Sequence, residues 1–156
     1  MENATPYAST YRAATAMDVA AYILKQCGPI TAMKLQKLVY YSQAWSLVWD
    51  ERPLFHDKIK AWVNGPVVGT LYHAHRGRLT LTPGDVAGNI EALDPKARET
   101  IDAVLKFYGH RTAQWLSDLT HSEAPWTNAR KGMKTGDRGN VEITQAAIHE
   151  YYSSLK

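Results

Sequence analysis

The longest apolar pattern in the chain runs from residue 31 to residue 49 and predicts an α-helix. Apolar residues recur there at helical spacing, and others fill the remaining sides of the cylinder. Thr31 follows a Gly-Pro break and can act as the N-cap. A helix that is apolar on nearly every side belongs in the middle of a domain, so we expect it to be the central helix against which the other elements pack. Its predicted core residues include Leu35, Leu38, Tyr41 and Trp45.

Shorter patterns on either side predict further helices and one strand. Thr15 and Asp18 form a start that resembles a capping box, for a helix over residues 16–26. Apolar residues at every second position predict a short, half-exposed strand over residues 59–63. Pro66 suits the first position of a helix over residues 67–75, because its missing N–H needs no partner there.

The C-terminal half carries the same helical pattern. Asp94 is the predicted N-cap of a helix that Gly109 ends, and a shorter helix over residues 111–119 is expected to bury Trp115 in the core. Thr120 stands three residues before Glu123, which is the spacing of another capping box. Thr144 caps the last helix. The inward-facing residues of that helix are predicted to be Ala147, Ile148, Tyr151, Tyr152 and Leu155.

These elements together predict a mainly α fold. We expect a compact single-domain helical bundle around the central helix, with a short β element near residues 59–63. The chain has 156 residues, 45% hydrophobic and 21% charged, which suffices for one domain with a sizeable core. We expect residues 1–14 to form a flexible N-terminal arm and residues 15–156 to form the domain. Glycine-containing stretches without periodicity predict surface loops at residues 77–89 and 131–140.

Charge and cysteine content exclude several classes of protein. The formal net charge of +3 is mildly basic, well short of the concentrated stripe of a dedicated nucleic-acid-binding protein. The single cysteine, Cys27, excludes a disulfide framework and a thiolate zinc site. Neither a signal peptide nor an apolar run of about 18 residues is present. We therefore expect a cytoplasmic protein that has no membrane partner.

The chain contains no recognisable catalytic motif. It has no glycine-rich phosphate loop, no nucleophile elbow and no His-Glu-x-x-His sequence. His73 and His75 are two residues apart, which points them away from each other on a helix. His121 and Glu123 could do acid–base chemistry, but the capping role accounts for Glu123 without it. We expect no enzyme activity, no metal site and no cofactor.

Aromatic and basic residues at turns and loops indicate a partner surface instead. Tryptophan is enriched at the centres of protein interfaces, although Gly, Pro and Trp at turns also serve to shape the backbone. The loop at residues 131–140 is glycine-rich and basic, and a further basic residue, Arg130, stands just before it. The candidate partner-binding residues are Trp62, Asn64, Pro66, Lys131, Lys134 and Arg138.

Three ordered motifs resemble the signature of the Panacea domain, a SocA-like antitoxin family that is also described as the phage-associated GepA type. They are MKLQKLVYYSQAW at residues 33–45, PLF at residues 53–55, and IKAWVNGPVV at residues 59–68 with Leu71 and Tyr72 after it. Residues 116–126 and 143–152 look like the family's C-terminal half. The similarity extends over about residues 16–155.

This resemblance implies a small, mostly helical antitoxin of a type II-like toxin–antitoxin system. Its expected partner is a cognate toxin protein, which it neutralises by direct contact. The SocA branch instead delivers its toxin to a ClpXP-type protease, so a proteolytic adaptor is an alternative. We expect no appended DNA-binding domain, which argues against autorepression of an operon. Assembly as a homo-oligomer stays open.

Two other classes of function are compatible with the residues. A nucleic-acid-binding regulator would place basic side chains on phosphates, and its affinity would fall steeply with added salt. Those side chains would be Arg76, Arg78, Arg130, Lys131, Lys134 and Arg138. An enzyme would require the region of His121 and Glu123 to line a pocket.

Overall fold

The computed structural model describes residues 11–155, which form a mainly α-helical protein with short β-strands. Within this range the helices are α1 (Ala16–Cys27), α2 (Ala32–Trp49), α3 (Gly69–His75), α4 (Pro95–Tyr108), α5 (Ala113–Ser122), α6 (Ala124–Ala129) and α7 (Gln145–Ser153). The strands are β1 (Ile30–Thr31), β2 (Ile59–Trp62), β3 (Gly65–Val68), β4 (Thr80–Leu81) and β5 (Glu142–Ile143). The prediction of a mainly α fold with a short β element is confirmed.

Helix α2 is buried along most of its length and contacts α1, α4, α5, α7 and β3. The side chain of Thr31 caps its first turn by accepting a hydrogen bond from the backbone N–H of Lys34, at 3.1 Å. The predicted core residues Leu35, Leu38 and Tyr41 are fully buried. Trp45 is only partly buried, and its indole N–H donates to the hydroxyl of Tyr108 at 2.9 Å.

Polar side chains on α2 fix the segment that follows it. The Oε1 of Gln43 accepts from the backbone N–H of Leu54 at 2.7 Å, and its Nε2 donates to the carbonyl of Phe55 at 2.8 Å. The hydroxyl of Ser46 donates to the carbonyl of Arg52 at 2.7 Å. These bonds supply partners for backbone groups that would otherwise be buried without any. They also set the direction in which the chain approaches β2.

Strand β2 lies between β3 and β5 in a three-stranded antiparallel sheet. Ala61 pairs with Pro66, and Ile59 pairs with both Val68 and Ile143. The predicted strand at residues 59–63 is confirmed as β2. The predicted helix from Pro66 is wrong at its start, because Pro66 and the two valines after it form β3 and the helix begins only at Gly69.

Three predicted core residues, Trp115, Ala147 and Leu155, are exposed. Trp115 is 37% exposed, because the buried face of α5 is formed by Leu116, Ser117 and Thr120. The guanidinium of Arg111 covers the Trp115 ring at 4.4 Å. In α7, Ile148 and Tyr152 are buried as predicted. Tyr151 is half-buried, whereas Ala147 and Leu155 are exposed.

The predicted capping box at Thr120 and Glu123 is not formed. Helix α5 continues through Thr120 to Ser122, and Glu123 makes no side-chain capping bond. Its Oε1 instead accepts hydrogen bonds from the hydroxyls of Tyr41 and Tyr152, both at 2.7 Å. Glu123 is 6% exposed, and burial raises the pKa of its carboxyl group. This carboxyl group therefore joins α2 and α7 at the junction of α5 and α6.

Residues 11–14 lie against the segment that follows α2. The Tyr11 hydroxyl donates to the carbonyl of Pro53, and Ala14 pairs with Phe55 in an isolated bridge. The rest of the predicted N-terminal arm, residues 1–10, lies outside the described residues. None of the described helices has the length and apolar character needed to cross a membrane.

The Glu123 contacts generate a prediction about stability. Glu123→Ala removes the shared acceptor of two buried hydroxyl groups, and each unsatisfied group costs roughly 1–3 kcal/mol. We expect urea denaturation to show a free energy of unfolding lower by about 2–4 kcal/mol. Glu123→Gln is the matched control, because its amide oxygen can still accept from Tyr41 and Tyr152. An alanine variant as stable as the wild type would show that the carboxyl group is not the link between α2 and α7.

Candidate partner-binding site at the β2–β3 turn

Side chains from α5 and α6 hold the carbonyl groups of the β2–β3 turn. The indole N–H of Trp126 donates to the carbonyl of Trp62 at 2.8 Å, and the Nε2 of His121 lies 2.9 Å from the carbonyl of Val63. The hydroxyl of Ser117 donates to the carbonyl of Asn64 at 3.2 Å. The turn is therefore fixed in one shape by partners outside its own strands.

Arg130, at the end of α6, organises the basic loop of residues 131–140. Its guanidinium is buried and donates to the carbonyls of Ala61 at 2.7 Å and Arg138 at 3.0 Å. It also donates to the carbonyls of Lys134 and Asp137. One side chain thus fastens the loop to strand β2, beside the turn.

Arg138 connects this loop to the turn through aromatic rings. Its guanidinium lies 3.9 Å from the centre of the Trp62 ring and 5.1 Å from that of Tyr72. The structure therefore brings together two of the predicted partner-binding residues, Trp62 and Arg138. Asn64 is exposed at the tip of the turn.

The other predicted partner-binding residues divide into two groups. Lys131 and Lys134 are exposed on the loop. Pro66 is buried in β3, so it shapes the turn and offers no surface to a partner. Its assignment to the partner surface is corrected on that ground.

A cavity of about 300 Å³ lies where the turn, α2 and α3 meet. Its lining includes Gln36, Lys37, Trp62, Tyr72, His75 and Arg138. The Nε2 atoms of Gln36 and His75 are 3.0 Å apart, and Gln36 also bonds both the N–H and the carbonyl of Val68. Burial lowers the pKa of His75. This wall of the cavity is therefore a fixed set of polar groups.

Lys37 is the least expected member of the cavity, since it is a lysine with 1% of its surface exposed. Its Nζ has one hydrogen-bond acceptor among the described residues, the carbonyl of Pro66 at 3.3 Å. Burial lowers the pKa of Lys37 to about 8. Gly65 makes room for it: φ is +115° there, and a Cβ atom would lie 2.7 Å from the Cε of Lys37.

The residues considered for catalysis point to different partners. His121 faces the carbonyl of Val63, whereas Glu123 faces two tyrosine hydroxyls in the core. Cys27 is half-buried, and burial raises the pKa of its thiol. In residues 11–155, no three histidine, cysteine or acidic side chains gather in a group that could hold a metal ion.

A second and larger cavity of about 800 Å³ lies at the other end of α2. Some of its charged groups are paired: Arg52 binds Asp94 through two hydrogen bonds, and Asp50 accepts from the hydroxyl of Thr100. Unlike the cavity beside the β2–β3 turn, its described lining contains carboxylates, those of Asp50, Glu51 and Asp94.

The family model described as antitoxin SocA-like, Panacea domain, matches residues 35–127. That range holds more than half of the chain, from α2 through the turn to Trp126 and the residue after it. The chain belongs to the Panacea domain family. The predicted membership is confirmed, and with it an association with toxin–antitoxin systems. No curated protein and no solved structure matches this chain.

Sequence reasoning missed the polar side chains that α2 contributes to the cavity beside the β2–β3 turn. Gln36 and Lys37 interrupt a segment that is otherwise apolar on nearly every side. That interruption was the available signal, since a charged residue on a fully buried helix needs a partner or a function. Tyr72 and His75 carry no comparable signal, because they reach the cavity only through the position of α3.

The role of Arg130 can be tested by proteolysis. Arg130→Met removes the donors that hold three loop carbonyls and the carbonyl of Ala61 in β2, so we expect the loop to open locally. Trypsin should then cleave after Lys131, Lys134 and Arg138 roughly tenfold faster, as mapped by mass spectrometry. Arg111→Met, which removes an exposed guanidinium, is the control. Equal cleavage rates in both variants would show that Arg130 does not hold the loop against β2.

The buried ammonium group of Lys37 predicts a pH dependence. Between pH 8 and 10.5 the folded protein releases the Lys37 proton while the unfolded chain still holds it, so stability rises with pH in that window. Other groups titrate there too, so the wild type is compared with Lys37→Met. Across this range we expect the free energy of unfolding of the wild type to rise by on the order of 3 kcal/mol relative to that of Lys37→Met. Parallel stability curves would contradict burial of the charge.

Proposed function

We propose that this chain is an antitoxin that neutralises a cognate toxin by direct protein contact. The observation that carries the proposal is its membership of the Panacea family, whose description is that of an SocA-like antitoxin domain. A toxin and an antitoxin made together meet in the cytoplasm, so the proposal places the chain there. The protein acts by occupying a surface of the toxin and requires no cofactor.

The surface best suited to this contact is the β2–β3 turn with the loop of residues 131–140. The turn is held in shape by α5 and α6, and the loop by Arg130, so little conformational freedom is lost when a partner binds. Asn64, Lys131, Lys134 and Arg138 are exposed there. Loops on a rigid scaffold can also change without harming the core, which suits a domain whose partners differ.

The hydrogen bonds and ion pair of the basic residues favour a protein partner over nucleic acid. Arg130 is buried and bound to loop carbonyls, and Arg78 forms an ion pair with Asp85 at 3.1 Å. Two of the six side chains that a nucleic-acid-binding regulator would use are therefore already engaged. The remaining charges suffice to steer an acidic protein surface.

The proposal predicts that neutralisation survives loss of the acid–base groups. Glu123→Gln and His121→Gln keep hydrogen-bonding atoms in place but remove the carboxyl and imidazole groups. We expect cells that express the cognate toxin to grow as well with either variant as with the wild type. Loss of rescue by a folded variant would favour an enzyme.

The contact itself is tested by co-expression with the product of the neighbouring gene. The variant Lys131→Glu, Lys134→Glu, Arg138→Glu should weaken toxin binding roughly tenfold, with the largest change in association rate at low salt. Its melting temperature should change little, because the three side chains are exposed. The matched control reverses three exposed lysines on α1 and α4: Lys25, Lys96 and Lys106.

Two outcomes of that experiment would change the proposal. Unchanged binding by the loop variant would remove the loop from the interface. Rescue accompanied by loss of the toxin, measured by immunoblotting with and without a functional ClpXP-type protease, would identify the chain as a proteolytic adaptor. A wild-type protein that neither binds nor neutralises the toxin would overturn the proposal.

A further inference from the structure

The described residues around the cavity beside the β2–β3 turn supply positive charge without a matching negative charge. They include Lys37, Arg76, Arg78 and Arg138 but no aspartate or glutamate. Arg78 pairs with Asp85 outside the cavity. Neither Lys37 nor Arg138 forms an ion pair with any residue in the described range 11–155.

Two of the residues that line this cavity carry donors that are short of acceptors. Among the described residues, the three N–H bonds of the Lys37 ammonium group have one acceptor, the carbonyl of Pro66. The indole N–H of Trp62 is buried and has no hydrogen-bond partner among the described residues. Buried donors without partners are rare in native proteins because each costs free energy. Here two occur in the lining of one cavity.

An anionic acceptor that enters this cavity would supply the negative charge that Lys37 and Arg138 lack. A carboxylate accepts up to about four hydrogen bonds and neutralises a buried cation. The Arg138 guanidinium, stacked on Trp62, can close over it, since guanidinium and carboxylate groups pair well. The cavity volume of about 300 Å³ is at the lower limit for small-molecule sites, which favours a single protruding side chain.

We propose that this cavity receives an acidic side chain of the cognate toxin, whose carboxylate binds Lys37 and Arg138. The inference rests on the proposed function, since the occupant comes from the toxin. It adds the chemistry of the contact: an aspartate or glutamate inserted beside the turn. Continuity with the exposed surface at Asn64 and the loop places the cavity within that contact area.

The proposal gives Lys37 an unusual pair of properties. In the free protein the buried charge lowers stability, because desolvation of the ammonium group is not offset by a carboxylate. In the complex the same charge strengthens binding. A residue kept only for the fold would show the reverse, since its loss would lower stability and leave the interface unchanged.

Lys37→Met tests this directly, because methionine fills similar space without charge. We expect its melting temperature to equal or exceed that of the wild type, and its Kd for the toxin to rise at least about tenfold by calorimetry. Trp62→Phe is the second variant: it removes the unpartnered N–H together with the five-membered ring of the indole but keeps an aromatic ring for Arg138, and we expect the Kd to rise a few-fold. Lys25→Met removes an exposed charge from α1 and should bind as the wild type does.

The carboxylate is identified by replacing acidic residues of the toxin one at a time with their amides. One such replacement should weaken binding in the wild type and have little further effect with Lys37→Met, as a double-mutant cycle measures. Wild-type affinity of both Lys37→Met and Trp62→Phe would overturn this inference and leave the antitoxin function standing. Absence of toxin binding by the wild type would overturn both.

The source of the anion is tested separately with inorganic phosphate and adenosine monophosphate. Neither should compete with the toxin or raise the melting temperature at millimolar concentration. Competition that disappears in Lys37→Met would show that the cavity holds a free anion, and would overturn the assignment to a toxin side chain.

Discussion

The fold depends on satisfying the polar side chains of a helix that is buried on most of its surface. Gln43 and Ser46 take up backbone groups of the segment after α2, Gln36 takes up both backbone groups of Val68, and Tyr41 binds Glu123. Together these bonds reach three different parts of the chain. A buried polar group without a partner is costly. These bonds therefore favour one position for the β2–β3 strand pair, the 52–55 segment and the α5–α6 junction over other ways of packing the same apolar residues.

The same constraint explains why the β2–β3 turn is rigid and polar. Its carbonyls face inward and are met by Trp126, His121 and Ser117, which lie on two helices distant in sequence. The family match ends just after Trp126 and so includes these partners. The matched segment thus builds the frame of the turn. The loop of residues 131–140 lies beyond that match and supplies exposed charge next to the frame. The frame of the turn and the exposed charge beside it therefore come from different segments of the chain.

Local signals in the sequence predicted helices and strands better than they predicted which distant residues each side chain contacts. The Thr31 cap and the alternation at residues 59–63 depend on neighbours in the chain, and both predictions are confirmed. Pro66 gave a helix-start signal that pairing with β2 overrode. Glu123 had capping-box spacing, yet its partners are Tyr41 and Tyr152, which lie 82 and 29 positions away in the sequence. The cavity at Lys37 also depends on such distant contacts, so the sequence showed only an unexplained charge in an apolar helix.

Hydrogen exchange of the chain, alone and bound to the product of the neighbouring gene, measures most directly whether the turn is the toxin-binding surface. We expect slower exchange in the complex for the backbone amides of residues 62–65, 76–78 and 134–139, which surround the cavity at Lys37. Exchange at residues 50–54 and 92–97, around the cavity at the other end of α2, should stay the same. Protection confined to residues 50–54 and 92–97 would contradict the assignment of the β2–β3 turn as the binding surface.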